Sequence, residues 1–140
     1  MPGTRVQVTA DALAFIRAGY ALWNAGDIEG VSGMWSEDVE WHNAPEWPGQ
    51  RVYRGRDTVV RFLEDEVIDV IELGEIEVGD IEVFGAELVV KLLARTRGHG
   101  SNLDFGKVQI FHVARLEDGR VKRIRAYLDE GQALEAARAG

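Results

Sequence analysis

Apolar residues recur at helical spacing near the start of the chain. Leu13, Ile16, Tyr20 and Trp23 form one stripe, which predicts a first helix from about Ala10 to Asn24. Thr9 suits its N-cap, residues 1–8 are expected to be a flexible N-terminus, and Asn24-Ala25-Gly26 ends the helix, with Gly26 free to turn left-handed. Asp27 then caps a short second helix whose Ile28, Val31, Met34 and Trp35 face inward. Alternation over Val39–Asn43 predicts a strand, and Pro45 and Pro48 make Ala44–Gly49 irregular. A third helix is expected from about Arg56 to Glu72, with Val59, Phe62, Leu63, Val67, Val70 and Ile71 on its buried side and Gly74 beyond its end.

From Glu75 to Asp129 the pattern changes to strands. Ile76 and Val78 alternate with acids, as do Ile81 and Val83, and Gly79-Asp80 breaks the phase between them like a bulge. Phe84-Gly85-Ala86 reads as a turn. Leu88–Arg97 is a strand whose even positions form the core face. Gly98–Asn102 connects it to a strand over about Leu103–Leu116. Asp118-Gly119 marks a hairpin leading into a last strand, Val121 to about Leu128. Asp129 with Gln132 starts a C-terminal helix over Ala133–Ala137. The expected architecture is a single α+β domain over 1–140: a curved antiparallel sheet with helices on its concave side, forming a cone around a cavity.

The chain has 140 residues, enough to bury a core without staples. It contains no cysteine, so disulfides, thiolate metal sites and cysteine nucleophiles are excluded. Its net charge of -8 argues against nucleic acid as a partner. The opening residues do not resemble a signal peptide, and no apolar run reaches the roughly 18 residues of a membrane span, so a cytoplasmic protein is expected. The acid-rich 64–87 stretch and the basic Arg120–Arg125 stretch read as solvated faces of opposite sign, or as mutually attracting ones. Three dispersed histidines lack metal-site spacing, and no nucleophile elbow, phosphate loop or dinucleotide fingerprint is present, so neither metal nor cofactor is expected.

Four segments carry a family resemblance: Asn24-Ala25-Gly26-Asp27, Trp35 to His42, Tyr53-Arg54-Gly55-Arg56, and Gly119-Arg120-Val121 with Arg125 to Asp129. Together they resemble the SnoaL-like group of the nuclear transport factor 2-like superfamily, which also holds ketosteroid isomerase-like and limonene-epoxide hydrolase-like proteins. The resemblance implies a cone with an apolar pocket for a small molecule, and a homodimer packed through its sheet; Phe111 and Val113 on the outer face are compatible with that interface.

The catalytic acids of those relatives are missing here. With the Asn-Ala-Gly-Asp turn as anchor, the isomerase's general base falls on Asn43, which cannot take a proton. The helix-one tyrosine falls on Gly19, beside Tyr20. With a one-residue gap, the donor acid falls on His112. The last-strand acid of the hydrolase-like and SnoaL-like patterns is replaced by Ala126. His112 shares parity with Val108, Ile110 and Ala114, so it is either a core histidine satisfied by one bond or a pocket acid/base. Asn43 should face the cavity with Trp41, and Asn43 and Tyr20 would orient a substrate. Trp41 is core or cavity wall, Trp47 a lid, dimer contact or simple packing, Tyr53 an entrance residue, and Phe62 reaches the cavity from above. If Val39 and Trp41 point inward, His42 points outward, unless a bulge reverses it, and His99 lies in a solvent-exposed loop. Metal-free proton-transfer chemistry (isomerisation, cyclisation, dehydration or hydrolysis), a non-catalytic binding module and a structural assembly role all remain open.

Overall fold

A computed structural model describes residues 2–47, 49–67, 71–97 and 104–140. In chain order the elements are α1 (Pro2–Asn24), α2 (Ile28–Ser32), β1 (Trp35–His42), β2 (Val52–Arg54), α3 (Arg56–Phe62), β3 (Ile71–Phe84), β4 (Glu87–Arg97), β5 (Asp104–Glu117), β6 (Arg120–Tyr127) and α4 (Glu130–Ala139). The six strands form one sheet in the order β2-β1-β6-β5-β4-β3. The architecture is α+β, as the alternating pattern predicts. One join departs from an antiparallel sheet: β1 runs parallel to β6, so the two ends of the chain's core meet there.

Several element boundaries differ from the expected ones. The backbone of residues 2–8, read as a flexible terminus, continues α1 through Thr9 to Pro2. Proline suits that first position because its missing N–H has no helical partner there anyway. Trp35 is buried as expected, but as the first residue of β1, because α2 ends at Ser32. Gly30 and Gly33 weaken so short a helix. The third helix does not run to Glu72. It passes at Leu63–Val67 into one wider π turn, and by Ile71 the chain is in β3. A β-branched residue such as Ile71 fits helical spacing and strand pairing alike, and here the pairing with Thr96 wins. The short β2 pairs with β1 through Tyr53 opposite Trp41. His99 and the connection around it, along with Val70, lie outside the described residues.

The turn chemistry behaves as the sequence requires. Asp118 and Gly119 both have positive φ, 53° and 74°, which suits a two-residue hairpin turn. The register of β3 against β4 slips between Val78 and Ile81, where Gly79-Asp80 forms the bulge.

Both faces of the sheet are covered. On the concave side Leu88, Val90, Leu92 and Ala114 pack with Ile16 and Trp23 of α1 and with Val59 and Phe62 of α3. The helices were expected on that side alone. On the convex side, however, Val89, Phe111 and Val113 pack against Ala133 and Ala137 of α4. Phe111 and Val113 are 3% and 0% exposed, so α4 occupies the surface on which a sheet-to-sheet partner was expected to rest. None of the described helices is long and apolar enough to cross a membrane.

Candidate functional site

A cavity of about 100 Å³ lies between the concave face and the helices. That is somewhat smaller than an apolar cavity of about 150 Å³ known to admit benzene. Ile16, Gly19, Tyr20 and Trp23 give it one wall, at the i, i+3, i+4, i+7 spacing that puts them on one face of α1. Leu63 and Val67 of the π turn, Trp35 and Trp41 of β1, and His112 and Ala114 of β5 contribute others. No Asp, Glu, Lys or Arg lines it among the described residues.

Two polar side chains meet in this apolar wall. Tyr20 Oη lies 2.7 Å from His112 Nδ1, linking α1 to β5 across 92 residues of sequence. Their rings stack at 5.8 Å and 29°, and the Trp41 ring meets the imidazole edge-on at 5.3 Å. Burial pushes the His112 imidazole down to about 4 and raises the Tyr20 hydroxyl above its ordinary value. Both groups are therefore neutral at pH 7. The partner of one end of the imidazole is Tyr20, and Nε2 has no hydrogen bond to any described residue.

The other expected site residues are distributed differently. Trp41 is cavity wall and Tyr20 faces the cavity, although the family comparison points to its neighbour Gly19. Asn43 does not line the cavity. It accepts from Trp41 Nε1 at 2.8 Å and donates to the Gln50 carbonyl at 2.8 Å, so its amide is spent fixing the indole and the loop. Phe62, Tyr53 and Trp47 form an aromatic cluster behind Trp41 rather than cavity wall. Tyr53 stacks on Phe62 at 4.4 Å, Trp47 meets Phe62 edge-on at 6.3 Å, and Trp41 packs on it at 6.1 Å. Tyr53 Oη also donates to Glu66 at 3.3 Å. Ala126 stands directly opposite His112 in the β5–β6 ladder, on the same face, but outside the cavity lining. His42 turns away and bonds Glu40 at 2.9 Å, as its parity predicts.

Two features escaped the sequence reading. Asn24, read as part of a helix stop, donates to the Ile76 carbonyl at 2.9 Å and accepts from its N–H at 3.2 Å, tying α1 to the edge strand β3. Glu87 is 2% exposed on the convex side and accepts from Arg123 and Arg125, with Arg115 nearby. The basic stretch is thus partly a counter-charge to one buried acid. Only the even spacing of Arg123 and Arg125 on one strand signals it, and nothing around Glu87 marks that acid as their partner.

The sequence matches the family described as a SnoaL-like domain over residues 16–124. No curated protein sequence matches. Solved structures share the fold at low identity. A Bacillus subtilis protein provisionally described as an isomerase superposes with a TM-score of 0.73 at 16% identity, covering 94% of this chain and 95% of its own. The epoxide hydrolase/cyclase-like enzyme SalBIII, described in pyran ring formation in the polyether salinomycin, gives 0.70 at 17% identity, covering 88% and 94%. A protein of ketosteroid isomerase-like fold from Catenulispora acidiphila, in complex with trimethylamine, gives 0.67 at 12%, covering 88% and 91%.

Proposed function

Since the chain belongs to the SnoaL-like domain family, we propose that its cavity binds a small, largely apolar molecule and moves a proton on it, with Tyr20 and His112 as the acting pair. The reaction class is isomerisation, cyclisation, dehydration or hydrolysis. The observation that carries this reading is the 2.7 Å contact between Tyr20 Oη and His112 Nδ1 in a wall whose other described residues are aliphatic or aromatic. A polar pair in such surroundings is costly unless it is satisfied, and a ligand oxygen at Nε2 would complete it. The descriptions of two structural neighbours, one provisionally described as an isomerase and the other as an epoxide hydrolase/cyclase-like enzyme, support the reaction class. A neutral imidazole can donate a hydrogen bond to a carbonyl or ether oxygen and stabilise charge that develops there.

A second reading is a binding module without turnover. It is favoured by the lack of any carboxylate among the described residues of the cavity wall and by the alanine at position 126, where the family pattern holds an acid.

Tryptophan fluorescence separates these readings. Trp23, Trp35 and Trp41 line the cavity and report on its contents. Titration with single-ring ketones, lactones, epoxides and phenols should give saturable quenching by one class. The bound class is then assayed for turnover by the wild type and by His112→Phe. Turnover that depends on His112 supports the enzyme; binding alone leaves the module. Silence across the panel would overturn both readings in favour of an assembly role.

A further inference from the structure

We infer that Met34 gauges the ligand: among the described residues its thioether is the one adjustable part of the cavity wall, and it limits the occupant to a single ring. The inference rests on the proposed ligand-binding cavity and adds the size of molecule that the cavity takes.

Volume sets the problem. The cavity measures about 100 Å³, whereas an apolar cavity known to admit benzene measures about 150 Å³. A ring can therefore enter only where part of the wall gives way. Protein interiors are close-packed, so most side chains cannot yield without disturbing their neighbours.

The lining residues differ in how far they can move. Trp23 and Trp35 are buried in the main core cluster. Trp41 is held at Nε1 by Asn43, and Tyr20 and His112 hold one another. The buried valines of the lining are branched at Cβ and stiff at χ1. Met34 is half-buried, and it is the only described lining residue with a long unbranched chain. A thioether on three rotatable bonds changes shape at little cost.

Glycine at position 19 gives that chain somewhere to go. Gly19 and Met34 both line the cavity. A Cβ at position 19 would lie 3.4 Å from Met34 Sδ and 3.6 Å from its Cε. Without one, the thioether can shift against the backbone of α1 and free space for a ring. The shift is bounded, because the Met34 backbone is pinned on both sides. Its N–H donates to the Val31 carbonyl at 3.0 Å, and its carbonyl accepts from the Val121 N–H at 3.0 Å. Only the side chain moves, which makes room for one ring and not for two fused rings.

The probes are cyclohexanone and 1-decalone, which carry the same ketone on one ring and on two. Binding to the full-length protein is read from quenching of tryptophan fluorescence. The wild type should bind cyclohexanone saturably and 1-decalone more weakly by roughly tenfold or more. Met34→Ala removes the gauge and should bind 1-decalone roughly tenfold better than the wild type does. Met34→Leu keeps the number of heavy atoms, and with it the fold, but its branched end yields less. It should still reject 1-decalone and bind cyclohexanone roughly threefold more weakly. Equal binding of both ketones by the wild type overturns the inference, as does rejection of 1-decalone by folded Met34→Ala. Cyclohexanone affinity unchanged in Met34→Leu overturns it as well, whether or not the alanine variant folds. In each of these cases the cavity still binds a ligand and its proposed function stands. If neither ketone binds, the one-ring limit falls, and the other classes of the panel decide the cavity's role.

Discussion

Among the described residues, Tyr20 and His112 are each other's one side-chain hydrogen-bond partner. Removing either leaves a buried polar atom without its partner. Tyr20→Phe should cost about 1–3 kcal/mol of stability, read from urea unfolding. The imidazole also makes stability depend on pH. Its folded value of about 4 lies below its ordinary 6.5, so below pH 6.5 the unfolded chain binds the proton more readily. The contribution is therefore full above pH 6.5 and is lost as pH falls towards 4. That loss is on the order of 3 kcal/mol. Comparing the wild type with His112→Phe at pH 7.5 and pH 4.5 isolates it: the wild type should lose more stability between the two pH values than the variant. An equal loss in both would mean that the imidazole titrates normally.

Gly19 shows how one wall of the cavity is made. It is an interior position of α1, where glycine costs about 1 kcal/mol relative to alanine. A Cβ there would meet the Met34 thioether at 3.4 Å, an ordinary contact with the end of a flexible side chain. Gly19→Ala should therefore raise the melting temperature by roughly 2–4 °C. Gly19→Leu has to displace Met34 or fill the cavity, and should weaken the binding of single-ring probes by at least tenfold in the same fluorescence titration.

The longer strands and the body of α1 were legible because their periods are unambiguous, whereas the three-residue β2 and the first turns of α1 show no such period; the Asp118-Gly119 hairpin and the Gly79 bulge were legible because those residues have few alternatives. The third helix was misread because Val67, Val70 and Ile71 suit a helix face and a strand equally, and only long-range pairing decides. His112 could be placed on the inner face by alternation along its strand. Its bond to Tyr20 could not, since it depends on how α1 lies across the sheet. Asn43 failed for a related reason. Parity put it inside, yet the loop after it closes over its amide.

The chain organises charge around one buried acid. Arg123 and Arg125 converge on Glu87 beneath α4, and Arg125 also donates to the Ala136 carbonyl at 3.2 Å. Glu87→Ala would leave both guanidinium groups without their counter-charge. It should destabilise the fold by about 3–5 kcal/mol in chemical denaturation, without altering ligand affinity at the opposite face. A small loss would show that water readily replaces the carboxylate.

The covering of the convex sheet by α4 has a practical corollary. The helix that shapes the cavity comes from the beginning of the chain, and the helix that seals the back comes from its end. An anchor, label or fused domain joined after Gly140 would start from α4, on the far side of the sheet from Tyr20 and His112. Immobilised through that end, the protein should keep its cavity open to solution; tethered at the other, it would bring its support against the helix that forms the cavity wall.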